Sequence, residues 1–362
     1  MMNILYTING LRVNGMSSIV IQYIMGLSRF NDYHFTIFTD EIALQYMPIL
    51  EKYKVEIIQS KMRKKNQIIY FSELIKTMND KKFDVLHAHG NSATIAVELF
   101  AAKQCGIKKR IAHCHSTNCD HKVMDKILRP LFYHSYTQGI GCGEKAGKWL
   151  FGDHPHIVIK NAIDLEHYVF SQSERIIKRE QLNIQDKFVI GHIGRFIDVK
   201  NHLYLLNVFR EYTKEDNNVV LIMVGDGPLE KETKELAKQL EVDNKVIFYG
   251  ITNDLAALYS VMDVLVLPSK YEGVPLTLIE AQANGLPCLI SDKVSNEVIM
   301  TDLIQTEKLE QLNNWVNKIK KLKNYKRTTM ISETAIKQLR SNGFEINDVV
   351  EQIDCIYRGK TT

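Results

Sequence analysis

The chain has 362 residues, 45% of them hydrophobic and 24% charged, with six cysteines and a formal net charge of +4 at pH 7. A globular chain of this length can form two domains, its mild charge argues against nucleic-acid binding as the main role, and no apolar run approaches the roughly 20 residues of a membrane span. The scattered cysteines give no disulfide framework and the start lacks a basic leader, so we expect a cytoplasmic protein with reduced thiols and no signal peptide.

Apolar runs with the character of β-strands alternate with amphipathic helical stretches along the chain. The first series of predicted strands comprises Asn3–Ile8, His34–Phe38, Val55–Ile58, Asp84–Ala88, Arg110–His113, Gly139–Cys142 and Ile157–Lys160. The second comprises Phe188–Ile193, Val219–Val224, Lys245–Tyr249, Val264–Leu267 and Cys288–Ile290, and predicted helices include Glu230–Leu240 and Leu309–Lys323. Many runs are continuous in Val, Ile and Leu, as expected for parallel strands covered on both faces. The alternation predicts an α/β protein with two doubly wound, Rossmann-like parallel sheets.

The alternation breaks between about Asp164 and Asp186, where the chain is polar and shows no strand pattern. We therefore predict one domain over residues 1–165 and a second over residues 166–343. After about Thr306 the strands stop, and a C-terminal helix at about 344–362 is expected to pack back on the first domain. Because such folds bind ligands at the carboxyl ends of their strands, the site is expected in a cleft between the domains.

The most informative segment is Ser269–Ala281, in which Glu272 and Glu280 stand eight positions apart. Gly273 and Pro275 follow the first glutamate and open into an apolar, helix-forming run. A helix start of this kind offers free backbone N–H groups and the positive end of the helix dipole to an anion. Carboxylates on both sides of an anion site suit a ligand that also carries hydroxyls, and a sugar nucleotide carries both groups.

A second segment, residues 194–201, directly follows a predicted strand. Gly194 permits a close backbone turn there. Arg195 and Lys200 provide two cations, each able to form charge-assisted hydrogen bonds with a diphosphate. The alternative interpretation is a surface loop with two solvated cations.

Two glycine turns follow the next two predicted strands. Gly225-Asp226-Gly227-Pro228 forms a tight turn that suits a helix start, and it is equally compatible with a purely structural role. Gly250, after the following strand, could present backbone groups to a base.

Taken together, these motifs resemble the retaining glycosyltransferases of family 4, which have the GT-B fold of two Rossmann-like domains facing a central cleft. The similarity covers nearly the whole chain and is strongest in its second half. There the Glu-x7-Glu, Gly-Arg-x4-Lys-Asn and Gly-Asp-Gly-Pro segments occur in the family's order and spacing. Residues 160–164, Lys-Asn-Ala-Ile-Asp, are similar to the family's interdomain segment. Within the family, the chain looks most like bacterial enzymes of capsular, exopolysaccharide or cell-wall polymer synthesis.

The resemblance implies a role for each matching residue of the second half. Arg195 and Lys200 would bind the diphosphate and the charge that develops on it as it leaves. Glu272 would contact the donor sugar, and Glu280 would accept hydrogen bonds from the ribose hydroxyls.

The resemblance further implies that the first domain binds the acceptor and the second the nucleotide sugar. His115, or alternatively His113, would reach the sugar from the first domain. The remaining positions expected at the donor site are Gly15, Gly194, Gly250, Gly273, Val274, Pro275 and Leu276.

The implied activity is retaining transfer of a sugar from a UDP-sugar donor to a saccharide or polyprenyl-linked acceptor. No cofactor and no metal are expected, and the chain has no Asp-x-Asp sequence of the kind that binds metal in the other major glycosyltransferase fold. Three alternatives stay open: a sugar-nucleotide epimerase, a sugar-phosphate transferase on the same scaffold, and a non-catalytic partner of an active transferase.

Two other patterns suggest different binding chemistry. His113, Cys114, His115, Cys119 and His121 offer five soft ligands within nine residues, which indicates zinc, a sugar or acceptor contact, or ordinary structural residues. The run 141–147 is similar to a dinucleotide-binding loop, but its third glycine comes one position late.

A third pattern concerns the membrane. Residues 122–132 mix cations with apolar side chains in the first domain. The pattern fits either a solvated helix face or reversible docking on the anionic inner face of a membrane. Docking of this kind would suit a lipid-linked acceptor.

Overall fold

A computed structural model of the chain describes residues 1–119, 121–252 and 254–360. The chain forms two compact units, Met1–Ile163 with Glu345–Thr362 (unit 1) and Asp164–Phe344 (unit 2). These divisions fall within two residues of the sequence-based boundaries, while the binding roles assigned to the two domains remain predictions. Residues 361 and 362, the end of the expected C-terminal helix, lie outside the described residues.

Unit 1 is a seven-stranded parallel sheet with helices between its strands. Its elements are β1 (Met2–Ile8), α1 (Gly15–Leu27), β2 (Tyr33–Thr39), α2 (Met47–Lys52), β3 (Glu56–Gln59), α3 (Gln67–Lys81), β4 (Val85–Gly90), α4 (Ala96–Gln104), β5 (Lys109–Cys114), α5 (Lys122–Ser135), β6 (Gln138–Gly141), α6 (Glu144–Phe151), β7 (Ile157–Val158) and, at the end of the chain, α14 (Ile346–Arg358). The strand order is β3-β2-β1-β4-β5-β6-β7, so the chain winds outward in both directions from β1 and β4.

Unit 2 repeats this architecture with a six-stranded parallel sheet. Its elements are α7 (Gln172–Gln181), β8 (Phe188–Ile193), α8 (His202–Thr213), β9 (Val219–Val224), α9 (Glu230–Gln239), β10 (Val246–Gly250), α10 (Leu255–Val261), β11 (Val264–Leu267), α11 (Leu276–Ala283), β12 (Cys288–Ser291), β13 (Ile304–Glu307), α12 (Leu312–Leu322) and α13 (Thr329–Ser341). The strand order is β10-β9-β8-β11-β12-β13, which places the carboxyl ends of β8 and β11 side by side.

Continuous apolar runs form the inner strands because helices cover both faces of each sheet. Every residue of β8, β9 and β11 is buried. In unit 1, α1 begins at Gly15, where the Asn14 side chain accepts a hydrogen bond from the Ser17 amide at 3.0 Å. An Asn at this position satisfies a donor that the first helical turn leaves open.

All twelve predicted strands are present, with ends that differ by at most two residues. The edge strand β13 was not predicted, because only Ile304 of its four residues is buried and its pattern is therefore weak. The polar stretch between about Asp164 and Asp186 contains helix α7, which the sequence-based interpretation did not include. In the described ranges, no helix has both the length and the apolar character needed to cross a membrane.

Candidate functional site

The segment 194–201 leaves β8 at the carboxyl edge of the unit 2 sheet. Gly194 donates its amide to the Val224 carbonyl at 3.0 Å, which extends the strand contact into the loop. A Cβ at Gly194 would lie 3.2 Å from Cδ of Lys200, so the glycine leaves room for the lysine stem. Arg195 is exposed, and across residues 1–119, 121–252 and 254–360 its guanidinium has no hydrogen bond or ion pair. The loop thus presents an available guanidinium and a packed lysine at one edge of the sheet.

The glycine turn after β9 packs against the backbone of this loop. Gly225 and Gly227 have φ of +136° and +150°, which other residues rarely adopt. A Cβ on Gly225 would lie 2.3 Å from the Gly194 carbonyl oxygen, and one on Gly227 would lie 2.6 Å from that of Phe196. Gly250, with φ of +76°, accepts a hydrogen bond from the Gly225 amide at 2.9 Å. These glycines therefore set the position of the loop that carries Arg195.

Two residues predicted from separate motifs are in contact. Lys200 Nζ lies 2.5 Å from Oε1 of Glu272, and both side chains are more than four-fifths buried. The Ser269 hydroxyl donates to the same carboxylate oxygen at 3.2 Å. Nearby, Lys270 pairs with Asp198 at 2.5 Å in a more exposed position. The ion pair of Lys200 and Glu272 places one charge of each sign next to the start of α11.

The start of α11 is open as the sequence indicates. Gly273, Val274 and Pro275 form the approach to the helix, and Leu276 is its first residue. Pro275 occupies the N-cap position, and no side chain among the described residues caps the helix by a hydrogen bond. A Cβ on Gly273 would meet no atom of the described residues within 4 Å, so these residues leave space beside it. The first amides of α11 can therefore serve an anion.

Glu280, in the second turn of α11, is buried, and it forms no ion pair with a cation in the part of the chain that the structure describes. Tyr259 donates to Oε2 at 2.6 Å and Tyr168 donates to Oε1 at 3.2 Å. Burial raises the pKa of Glu280 above its usual value of 4.5, while these two hydrogen bonds lower it. Neither tyrosine was predicted, because no motif marks an aromatic residue whose partner is remote in sequence.

Two histidines beneath the Arg195 loop were also missed. The His192 ring is buried and contacts the Val266 carbonyl through Nδ1 at 2.9 Å. His202, the first residue of α8, stacks on Phe196 with 4.2 Å between ring centroids. Burial lowers the pKa of His192 well below 6.5 and that of His202 to about 4, so both rings are uncharged near Lys200. These two rings therefore add no positive charge to that of Lys200 and Arg195.

In unit 1, the histidine cluster has a different membership from the one predicted. The carboxyl ends of β4 and β5 bring together His87, His89, His113 and His115. His87, His89 and His113 could offer ligand atoms within 4.8 Å of one another. Among the described residues, the predicted cysteine ligands are not in that group, and the Cys114 thiol donates to the Ser116 carbonyl at 3.1 Å.

Both ring nitrogens of His115 are engaged within unit 1. Nε2 lies 2.9 Å from Nδ1 of His89, and Nδ1 lies 3.0 Å from Oδ1 of Asn161. Burial lowers the pKa of His115 to about 4. A ligand that bonds to a ring nitrogen of His115 must therefore displace one of these partners.

Comparison with known proteins gives a family match for most of the unit 2 sequence. Residues 174–338 match the family model of glycosyl transferases group 1. The chain contains a glycosyl transferases group 1 domain. Arg195, Lys200, Glu272 and Glu280 all lie within this glycosyltransferase domain, whereas Tyr168 lies just before it. The prediction of a glycosyltransferase is confirmed for this domain.

Two relatives extend the similarity beyond the domain. The chain is 35% identical to EpsF of Bacillus subtilis (strain 168), which is named as a glycosyltransferase, over 231 residues that cover 60% of this chain and 59% of that protein. It is 27% identical to the UDP-Gal:alpha-D-GlcNAc-diphosphoundecaprenol alpha-1,3-galactosyltransferase of Escherichia coli, over 306 residues that cover 78% of this chain and 77% of that enzyme. The chain thus spans about three fifths of the length of EpsF.

A solved structure shows the same fold. Anabaena Alr3699/HepE in complex with UDP-glucose matches with a TM-score of 0.79 at 18% identity, covering 99% of this chain and all of that one. The two Rossmann-like parallel sheets predicted for a GT-B protein are thereby confirmed.

Proposed function

We propose that the protein is a retaining glycosyltransferase of family 4 that transfers a sugar from a UDP-sugar to a saccharide or lipid-linked saccharide acceptor. The product would be part of a surface polysaccharide or a cell-wall polymer. The observation that carries this proposal is the contact of Lys200 with Glu272 beside the open start of α11, in a glycosyltransferase domain that also presents Arg195.

The charges of this site suit a departing nucleotide diphosphate. Negative charge grows on the diphosphate as the bond from the anomeric carbon to its phosphate oxygen breaks. Arg195, Lys200 and the first amides of α11 supply positive charge that is already oriented, which is the largest catalytic contribution in many enzymes. The Lys200 ammonium would interact with both Glu272 and the diphosphate. The Glu272 carboxylate would then have acceptor capacity left for sugar hydroxyls. We propose that these groups do the work without a metal ion.

The donor and acceptor classes rest on similarity. UDP-glucose is bound in the Anabaena structure, and the Escherichia coli relative is named for UDP-Gal and a diphosphoundecaprenol-linked acceptor. We propose a UDP-sugar and a polyprenyl-linked or free saccharide for this chain, with Glu280 accepting hydrogen bonds from the ribose. For His115, the proposed role is a contact with the donor sugar.

Release of UDP by the purified protein tests the activity. With the matching UDP-sugar we expect slow donor hydrolysis, and Lys200→Met or Arg195→Ala should lower the rate by about 10²–10³-fold with folding intact. Lys270→Met is the matched control, because it removes a neighbouring cation that pairs with Asp198 away from Glu272. Near-normal rates in both site variants would contradict the proposed roles. An isomerised donor would indicate an epimerase, and neither UDP nor an isomer across a full panel of UDP-sugars would indicate a non-catalytic partner.

We further propose that α5 docks the protein on the inner face of an anionic membrane. Val123 and Ile127 are 72% and 62% exposed on this helix, beside the exposed cations Lys122 and Lys126. Such a face combines apolar insertion with attraction to acidic lipids. This location would bring the enzyme to a lipid-linked acceptor.

Sedimentation with vesicles containing phosphatidylserine tests this location. The protein should bind at low salt and be released at high salt, because the electrostatic part is screened. The double variant Val123→Ser/Ile127→Ser should bind weakly. The control Ile176→Ser/Ile177→Ser removes two similarly exposed side chains from α7 and should bind as the unaltered protein does. Equal binding by all three proteins, or none at low salt, would contradict docking through α5.

A further inference from the structure

The histidine cluster of unit 1 consists of three buried rings, His87, His89 and His113, and the half-buried ring of His115. Burial lowers the pKa of His87, His89 and His113 well below 6.5. The rings stack in pairs, His87 on His89 and His113 on His115, each with 4.2 Å between centroids. Among the described residues, three phenols from further elements make ring contacts with this cluster, namely Tyr6 of β1, Tyr23 of α1 and Tyr357 of α14. A neutral imidazole has one N–H and one lone pair, so its partners determine which nitrogen carries the proton.

The partners of His115 allow one arrangement. Oδ1 of Asn161 can only accept, so Nδ1 of His115 carries the proton and donates across 3.0 Å. Nε2 of His115 then holds the lone pair and accepts from Nδ1–H of His89 across 2.9 Å. His89 therefore donates a hydrogen bond to His115, and His115 donates one to Asn161.

The remaining nitrogen of His89 agrees with this assignment. If Nδ1 carries the proton, Nε2 of His89 must be a lone pair, and within the described residues this buried atom has no hydrogen-bond partner. The position of the only proton on His89 is thus set by the bond to His115.

A second row of hydrogen bonds lies beside the first and does not include His115. The Tyr357 hydroxyl donates to that of Tyr6 at 2.9 Å and so accepts from Nδ1–H of His87 at 2.7 Å. His87 Nε2 in turn accepts from Nδ1–H of His113 at 3.1 Å. Within the described ranges, His113 therefore contacts His115 by ring stacking and not by a hydrogen bond, which makes it a matched control for His89.

We infer that His89 is a positioning residue for His115, holding it in the tautomer whose Nδ1–H is donated to Asn161. The inference rests on the proposed function where it assigns His115 to the donor sugar. Asn161 on Nδ1 and His89 on Nε2 together fix the proton and the ring plane of His115 before a ligand arrives. Loss of His89 leaves Nε2 of His115 unpaired and the ring held by Asn161 alone. The ring can then rotate away from Asn161, and the second tautomer becomes populated.

Nitrogen NMR of protein labelled with ¹⁵N-histidine tests the inference without an activity assay. Long-range proton–nitrogen spectra distinguish a protonated ring nitrogen from an unprotonated one, and the His115 signals are identified by their loss in His115→Phe. In the unaltered protein, freed of metals by a chelator, we expect protonated Nδ1 and unprotonated Nε2 from about pH 5.5 to about pH 8, a range in which an unconstrained histidine changes charge. A signal with Nε2 protonated, or one that titrates in this range, would overturn the inference even if no variant could be prepared.

The variants separate the hydrogen bond from simple packing. His89→Leu should give mixed tautomers at His115, and His89→Asn should restore the single tautomer because its amide can donate from nearly the same place as Nδ1. His113→Leu should leave the tautomer unchanged.

With an active donor, His89→Leu should raise KM about tenfold, the equivalent of one lost hydrogen bond, with a smaller effect on kcat. An unchanged tautomer in His89→Leu, or the same change in His113→Leu, would contradict the role of His89. If no UDP-sugar reacts, the proposed function fails while the NMR result still decides the tautomer.

Discussion

Glu280 shows how a single carboxylate can be kept buried by hydrogen bonds from tyrosines. A buried carboxylate without a cation costs free energy unless its oxygens accept hydrogen bonds. Tyr259 and Tyr168 each donate to one of those oxygens, which limits the cost without neutralising the charge. The residue therefore keeps acceptor capacity, which the proposed function assigns to ribose hydroxyls, at some expense in stability.

We predict that Glu280→Gln stabilises the protein at neutral pH and weakens UDP binding. The pKa of Glu280 is raised in the folded state, so folding takes up a proton at pH values between 4.5 and that raised pKa. The unaltered protein therefore loses stability as pH rises through this range, and the loss persists at higher pH. The glutamine variant lacks this loss, so its gain in Tm should grow as pH rises above the ordinary glutamate pKa of 4.5 and should vanish below it.

Thermal unfolding across this pH range, with calorimetric titration of UDP, checks both parts. Loss of hydrogen bonds to a charged acceptor should weaken UDP binding by about 10–100-fold. Glu235→Gln, at an exposed position of α9, should show neither change. A Tm difference that does not depend on pH would contradict the raised pKa.

The site residues that were predicted from the sequence lie in short local motifs, whereas those that were not predicted depend on partners far along the chain. Lys200 and Glu272 stand in short motifs beside glycines, so chemistry and spacing predict them together. Tyr168 meets Glu280 across 112 residues, and His89 meets His115 across 26. Such pairs depend on the packing of whole elements, so no pattern in one stretch of chain indicates them.

At the scale of elements, burial decides what the sequence predicts. Strands β8 and β9 are buried throughout and were predicted with correct ends. Strand β13 has one buried residue and was missed. The glycine turn after β9 was open to two interpretations, because its role depends on contact with a loop about 30 residues earlier. The approach of Gly225 to the Gly194 carbonyl favours the structural role.

We predict that Gly225→Ala displaces the Arg195 loop. Its Cβ would lie 2.3 Å from a backbone oxygen, which cannot move without shifting the loop. Gly250→Ala also places a side chain at a positive φ, but its Cβ would meet no atom of the described residues within 4 Å, so this variant reports the backbone strain. We expect Gly250→Ala to lower the free energy of unfolding by about 1–2 kcal/mol and Gly225→Ala to lower it by clearly more.

Urea unfolding measures this difference, and hydrogen exchange over residues 194–201 measures the loop. Faster exchange there is expected in Gly225→Ala and not in Gly250→Ala. Equal losses of stability with unchanged exchange would show that the turn does not hold the loop.

At the scale of the whole molecule, the chain enters unit 2 after Ile163 and returns to unit 1 at Glu345. The return is marked by a hydrogen bond from the Ile346 amide to the Ile163 carbonyl at 3.0 Å. Helix α14 then packs on α1 and buries Tyr357 among the histidines. A C-terminal helix that packs back on the first domain could be expected from the family resemblance, but its contacts with His87 and Tyr6 could not.

The packing of α14 on α1 gives a prediction that tests this return of the chain. A Cβ on Gly26 of α1 would lie 2.4 Å from Cγ2 of Val350, a fully buried residue of α14. Gly26→Ala should therefore lower the free energy of unfolding by about 1–3 kcal/mol through overpacking and should speed hydrogen exchange in residues 346–358. Val350→Ala removes the methyl groups that the new side chain would strike, so the double variant should lose less stability than the sum of the two single variants. Urea unfolding of the four proteins gives this coupling, expected at about 0.5–3 kcal/mol. Strictly additive losses would mean that α14 does not pack on α1 at Gly26, and the terminal helix would then have to be sought elsewhere on the molecule.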